Sequence, residues 1–386
     1  MQIHTVKKDE TLYAIARKYG VPVTKILADN DLCGDRLTTG EELVIIKPTK
    51  TVTVKGGDTL DIISRRFGVR KSSIIRDNPF LLGRDKLRPG QILTVKHDEV
   101  KIGVGSVLGY AEKGCRRDRL AKALPYLTYL TVSSASIKND TVIPTFSPTD
   151  IKDLAESSGK VVLLGIKDGS NGAFLSSKER FGRIIEDAIS LAKEHGFMGI
   201  SISAKEGAKT HPDAYCEFLL EMRKRLIGCN MILFTEVFSD TPTDASEICD
   251  GGTLDVGLLP LSDALAFIKS FSERAESSKV FVRGISGMNT PDGFVSIGEI
   301  KETCYRSGKA LTTDDGLISH FDHVRYRIGM GEEIRLSFPS LRYTKAKLEA
   351  LYELGFMGIA YDIDTVPISN LTTFNSMFAR ADYSLT

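Results

Sequence analysis

A gapless internal repeat occupies the first hundred residues, and it constrains the fold more tightly than any other feature of the chain. KKDETLYAIARKYGVPVTKILADN (7–30) aligns on KGGDTLDIISRRFGVRKSSIIRDN (55–78) at a constant offset of 48. Thr11 falls on Thr59, Leu12 on Leu60, Gly20 on Gly68 and Asn30 on Asn78. The ends correspond as well, LTTGEELVI (37–45) with LRPGQILTV (87–95), after a two-residue insertion in the second copy. Self-similarity at a fixed period means a repeated structural unit. Each copy reads as strand, helix, turn, helix, strand. A short alternating strand (4–6, 51–54) leads to Asp9 or Glu10 and to Asp58, residue types that suit a helix N-cap. The apolar stripes Leu12, Ile15, Ala16, Tyr19 and Leu60, Ile63, Phe67 follow at helical spacing. Gly20 and Gly68 stand where a left-handed residue ends a helix.

The combination of D/E-T-L, a Gly after the first helix, D-N at the end of the second and L-x-x-G-x-x-L resembles the LysM module, in two copies over residues 1–48 and 49–98. The resemblance implies binding of N-acetylglucosamine glycans such as peptidoglycan or chitin. It also implies a sugar groove between the loop after the first strand and the loop after the second helix. Position by position it nominates Asp9, Glu10, Thr11, Leu12, Asp29, Asn30 and Leu32, and in the second copy Gly57, Asp58, Thr59, Leu60, Asp77, Asn78 and Pro79. The same residue types also cap helices and shape turns. Two tethered modules raise the effective local concentration on a polymer with repeated sites.

From Lys101 to Thr386, short β-rich apolar runs alternate with amphipathic stretches, over a length that suits a (β/α)8 barrel of roughly 250 residues. Candidate strands are 102–109, 127–134, 161–166, 197–203, 231–238, 254–261, 280–286 and 356–362. Helix faces are marked by Ile184, Ile185, Ala188, Ile189 and Ala192, by Phe218, Leu219, Met222 and Leu226, and by Leu265, Ile268 and Phe271. The predicted class is α/β: two βααβ modules, then a TIM barrel over 99–386 with a small α+β insertion at about 288–335. GFMGI occurs at both 196–200 and 355–359, opening the fourth and eighth strands. In such a barrel the chemistry belongs at the C-terminal strand ends.

LPYLTYLTVSSASIKNDTVIP (124–144), EHGFMGISIS and FPSLRYTKAKLEALYELGFMGIAYDID (338–364) resemble the glycoside hydrolase family 18 barrel, in particular its spore cortex-lytic N-acetylglucosaminidases with paired LysM modules. That family's fourth strand ends in D-x-x-D-x-D-x-E, whose Glu is the general acid and whose neighbouring Asp orients the reacting N-acetyl group. Here the four acidic slots hold Met198, Ser201, Ser203 and Lys205. A lysine cannot protonate a glycosidic oxygen as a carboxylic acid of raised pKa does. The family's sixth-strand M-T-Y-D/E falls on Pro260, Leu261, Ser262 and Asp263, and its eighth-strand Trp on Asp362. Barrel-mouth candidates are therefore Ser201, Ser203, Lys205, Glu236, Asp263, Tyr361 and Asp362.

Three readings follow. The first is a glycan-binding protein whose barrel has lost catalysis. The second is an active N-acetylglucosaminidase with its acid shifted to Glu206, and the third a metal-assisted enzyme using Glu236, Asp362 and Asp364. Against the last two, Glu206 in AKEGAK reads as a solvated loop charge, and the other carboxylates as partners of Lys167, Lys205 or Arg283.

The formal net charge of +1 gives no electrostatic reason for a nucleic-acid or membrane partner. Expected partners are an N-acetylglucosamine polysaccharide and other spore coat proteins. Six dispersed cysteines, Cys33 and Cys115 among them, fit reduced thiols rather than a disulfide framework. The H-x-x-H of His320 and His323 lacks further ligands at zinc spacing, so no metal or cofactor is expected. No P-loop, no dinucleotide fingerprint after a strand and no G-x-S-x-G occurs. MQIHTVKKDE lacks the apolar core of a signal peptide, which implies synthesis in the cytoplasm; the resemblance to the spore cortex-lytic group then implies deposition on the spore cortex, coat or cell wall.

Overall fold

The computed structural model describes residues 1–32, 34–81, 86–97, 100–237, 244–327 and 330–380, the side chains of 244, 321–333 and 380 apart. Cys33, Phe238 of the fifth candidate strand and the side chain of His323 lie outside the described residues.

Each repeat folds as a two-stranded antiparallel sheet with two helices. In the first, Gln2–Thr5 pairs with Glu42–Ile45 around Leu12–Tyr19 and Val23–Asn30. In the second, Pro48–Thr53 pairs with Ile92–His97 around Leu60–Phe67 and Lys71–Asp77. The N-caps are Thr11 and Thr59, one residue later than the acidic candidates; their hydroxyls accept from the Ala14 and Ile62 amides at 3.2 Å. Glu10 and Asp58 instead accept from the amides of Lys7 and Lys55, closing the turn that precedes each helix. Gly20 and Gly68 end the helices at φ +64°. Each module has its own small core, Leu12, Ile15, Ile26 and Leu43 in one and Leu60, Ile63, Ile74 and Leu93 in the other.

Eight parallel strands then close a barrel. They are β1 Gly103–Ala111, β2 Tyr129–Lys138, β3 Val161–Asp168, β4 Gly199–Ser203, β5 Ile232–Val237, β6 Gly251–Leu254, β7 Val280–Arg283 and β8 Gly358–Asp362, with β8 pairing back onto β1. Inward residues follow the period-2 alternation of a strand. Tyr129, Phe234 and Phe281 meet inside the barrel with ring centres 5.2 to 5.9 Å apart. Outward residues pack under the helices, where Ile184, Ile185, Phe218, Leu219 and Ile268 are buried.

GFMGI opens β4 and β8 because neither strand has room for a side chain there. A Cβ on Gly199 would lie 2.3 Å from the Ile232 carbonyl oxygen, and one on Gly358 would lie 1.9 Å from that of Ser106. The sixth strand falls earlier than predicted, at Gly251–Leu254, and Leu261–Ser272 is helix. The apolar run GLLPL follows the strand as a connection, and its Pro260 precedes the helix rather than ending a strand. Between β7 and the helix Leu341–Glu353 stand a hairpin (Gly287–Thr290, Gly293–Ser296), the helix Ile297–Ser307 and a three-stranded sheet.

The modules are seated on the barrel. Val44 and Ile46 pack with Leu341, and Arg342 donates to Glu42 through both its amide and its guanidinium. Lys301 meets Glu41 at 2.8 Å, and Arg119 and Lys122 each reach Asp31 at 2.6 Å. The helix Ile368–Met377 touches both modules; Asn375 donates to Asp77 at 3.3 Å, and Ser376 lies against Met1.

Candidate functional site

The C-terminal strand ends enclose a pocket of about 490 Å³. Strand parity decides what lines it. β1 supplies Tyr110 and, just beyond its end, Glu112. Thr131 and Ser133 come from β2, Lys167 from β3, Ser201 and Ser203 from β4, Glu236 from β5, Arg283 from β7 and Asp362 from β8. At its centre the Arg283 guanidinium lies 4.6 Å from the centre of the Tyr110 ring. It reaches Glu236 at 3.4 Å and Asp362 at 3.2 Å. Ser203 donates to the other Glu236 oxygen at 2.7 Å, and Lys167 pairs with Glu112 at 2.6 Å.

Burial alone would lower the Arg283 pKa, but Tyr110, Asp362 and Glu236 outweigh it and hold the guanidinium above its ordinary value. Burial pushes the Asp362 carboxyl up, with Glu112 adding to the rise against the pull of Arg283 and Lys167. Burial likewise pushes the Tyr110 phenol up to about 12, where it stays protonated beside Thr253. The pocket is thus lined by a salt-bridged cluster and by hydroxyls. Glu236 already has an Arg and a Ser on its two oxygens.

Of the mouth candidates, Ser201, Ser203, Glu236 and Asp362 converge here. Tyr361 does not. It is 1% exposed and packs in the outer layer between strands and helices, because a residue next to inward-facing Asp362 must point the other way. Asp263 lies in the first turn of Leu261–Ser272 and bonds to Ser262. Lys205 and Glu206 form the exposed first turn of the helix Lys205–Thr210, and neither is among the residues lining the pocket. Asp364 turns away from Glu236 and Asp362, accepting from the Arg116 amide at 2.9 Å. Burial, with Asp364 adding to it, pushes the Cys115 thiol up to about 12, which favours the unreactive thiol form. The sequence pattern did not single out Tyr110, Glu112, Thr131 or Ser133; strand register sets Tyr110 beside Asp362 and Thr131 beside Tyr110, and Glu112 and Ser133 follow two residues on with the same parity.

In the modules the nominated residues divide by role. Leu12 and Leu60 are core, and Asp29 is buried against Lys25 at 2.6 Å. Asn30 donates to the carbonyls of Ile26 and Val44 and accepts from the Val44 amide; Asn78 makes the same bonds with Ile74 and Thr94. Thr11, Thr59, Glu10 and Asp58 hold caps and turns, and Asp9 and Gly57 supply positive φ. Arg66, then Lys55, hold the Asp58 carboxyl below the usual range. Leu32 and Pro79 come together in one cleft of about 570 Å³ between the modules, with Leu27, Phe80 and Ile92 beside them and Asp31, Gln91 and Lys122 as polar groups. Asp77 lines a different pocket.

Among the described residues no three His, Cys, Asp or Glu side chains stand together to hold a metal ion. Among them, too, no helix is long and apolar enough to cross a membrane.

The LysM domain family matches this chain at residues 4–45 and 52–96. A probable endopeptidase p60 of Listeria innocua is 43% identical over 49 residues, which are 13% of this chain and 10% of that protein. The chain therefore spans about a tenth of the length of that relative. Two solved structures are similar along almost the whole chain. The spore cortex-lytic enzyme SleL of Bacillus cereus superposes with a TM-score of 0.76 at 20% identity over 99% of this chain and 100% of that one. SleL of Bacillus megaterium gives 0.75 at 20% identity over 99% of each. A chitinase of Chromobacterium violaceum covers 72% of this chain and all of its own at 14% identity, with a TM-score of 0.60. The chain carries two LysM domains followed by a barrel of the chitinase fold.

Proposed function

We propose that this chain is a binding protein for N-acetylglucosamine glycans in the bacterial spore envelope, with a hydrolase-like barrel that no longer cleaves them. One observation carries the reading. Where a barrel of this fold would present a proton-donating carboxylic acid just past β4, this chain has Lys205, which is not among the residues lining the pocket, and the carboxylate beside the end of β4, Glu236, is held between Ser203 and Arg283. A general acid must be protonated and within reach of the leaving oxygen. Both Glu236 oxygens are already hydrogen-bonded, one to Ser203 and one to Arg283.

Glu206 supports the same reading by its position, since it sits in an exposed helical turn. Binding is assigned to the modules. The cleft containing Leu32 and Pro79 offers apolar surface for sugar faces and methyl groups, with polar groups that can meet amides and hydroxyls. The full-length likeness to the spore cortex-lytic enzymes supports the envelope setting, with peptidoglycan as the polymer. Coat proteins are further partners in that setting.

The test is sedimentation with purified spore cortex peptidoglycan together with an assay for released reducing ends. Wild type and Glu206→Gln should both bind without release. Lys205→Glu alone should not create release, because the rest of the mouth is unchanged. Release by the wild type that disappears in Glu206→Gln would overturn the proposal.

A further inference from the structure

The mouth of the barrel holds one carboxylate more than its cations balance. Lys167 is committed to Glu112, and Arg283 is shared between Glu236 and Asp362. The two carboxylates on Arg283 are not equivalent. Glu236 also takes the Ser203 hydroxyl, and its side chain is 22% exposed. Asp362 meets a single guanidinium nitrogen, at 3.2 and 3.5 Å, and among the described residues it takes no other donor. Its side chain is 41% exposed and lines the pocket. Asp362 is therefore a charged acceptor with capacity left over.

A second observation lies two strands away. Thr131 is 1% exposed and lines the same pocket, yet its hydroxyl has no hydrogen-bond partner. Register places it, since Asp362 sits beside Tyr110 and Tyr110 beside Thr131. Buried hydroxyls are normally bonded, so an orphan lining a cavity marks a place that a ligand completes. Ser133 stands two residues further along β2. From β8 round to β3, both the strands and the connections that follow them are described residues.

Charge and lining together choose the ligand. Both cations are already paired, so an entering group must bring positive charge of its own. Apart from Ile166 and the Tyr110 ring, which Arg283 covers at 4.6 Å, every described lining side chain is polar or charged. An acetamido group is neutral, and its methyl finds little apolar surface here. An ammonium makes a charge-assisted hydrogen bond to Asp362, less screened in a recess than on an open surface. The hydroxyls of Thr131 and Ser133 suit a ligand that carries hydroxyls beside its amine. About 490 Å³ is the size of a small-molecule site.

We propose that the barrel mouth binds an amino sugar with a free amine, a glucosamine unit without its acetyl group, Asp362 holding the ammonium and Thr131 and Ser133 the sugar hydroxyls. The site is separate from the cleft between the modules and does not depend on their binding of acetylated glycan.

The experiment is calorimetric titration of the full chain, at low ionic strength and just below neutral pH, where the amine is charged. The probes are glucosamine, its β-1,4-linked trimer and N-acetylglucosamine. Binding that Asp362→Asn removes belongs to the mouth, whatever the modules bind. That component should be about tenfold or more tighter for the amines than for N-acetylglucosamine. A trimer no tighter than the monomer identifies a free amino sugar as the ligand, and a tighter trimer a residue within a polymer. Thr131→Val, of similar shape, should weaken the same component about threefold. Glu194→Gln removes equal charge from an exposed position at the opposite end of the barrel and should change affinity by less than about twofold. Urea unfolding of each variant separates a lost contact from a lost fold. Equal losses in Asp362→Asn and Glu194→Gln would overturn the site in favour of a diffuse acidic field. So would failure of both amines to bind, or an Asp362-dependent component as tight for N-acetylglucosamine as for glucosamine.

Discussion

At the scale of single residues, the mouth of the barrel turns on Arg283 and the two carboxylates it separates. Asp362 carries a raised pKa, so the fold favours its neutral form, and the sign of its pH dependence follows. Below the unfolded carboxyl pKa of about 3.9 both states are protonated and Asp362 adds no pH dependence. As pH rises through that value toward the higher folded pKa, the folded state binds more protons and stability falls. Asp362→Asn should therefore be more stable than wild type at pH 7, the difference vanishing below about pH 4. Urea midpoints measured across that range decide it. Arg283→Leu should do the reverse, leaving Glu236 and Asp362 without their shared cation at a cost of about 2–4 kcal/mol at pH 7.

At the scale of elements, Asn30 and Asn78 show how one residue type can be read two ways. Each pins the second helix of its module to the second strand through three hydrogen bonds to buried backbone groups. Asn78→Leu should cost about 2–4 kcal/mol, because the Thr94 amide and carbonyl lose their partners together. Thermal denaturation of the full chain, followed beside the milder Thr59→Ala at about 1 kcal/mol, measures both. The repeat made the βααβ unit legible, since offset, glycine caps and apolar stripes all bear on local backbone. It could not show that Asp29 is buried against Lys25, or that the same position in the second copy, Asp77, meets a histidine and a barrel side chain instead. In the barrel, strand order was legible from apolar runs. The sixth strand was misplaced because its own sequence, GGTL, is weakly apolar and a stronger run follows it. The mouth was half legible: Glu236, Asp362 and the two serines lie at strand ends, but Tyr361 required the parity of side chains to be counted, and Glu112 lies beyond its strand.

At the scale of the whole molecule, the modules are not beads on a string. Glu41 and Glu42 are each 4% exposed on their side chains, and they form ion pairs with the barrel residues Lys301 and Arg342. Arg342→Ala should leave a buried carboxylate uncompensated, at a cost of about 3 kcal/mol. Calorimetry should then show a low-temperature transition for the first module ahead of the barrel, where wild type melts in one. The helix Ile368–Met377, which touches both modules, follows the eight barrel strands in the sequence. During synthesis the modules emerge first, each with a core of its own, and can fold while the barrel is still being made. They can dock only after the residues around 370 have left the ribosome. A chain interrupted before that point carries folded modules with nowhere to sit, so the docked arrangement is itself a signature of a fully translated barrel.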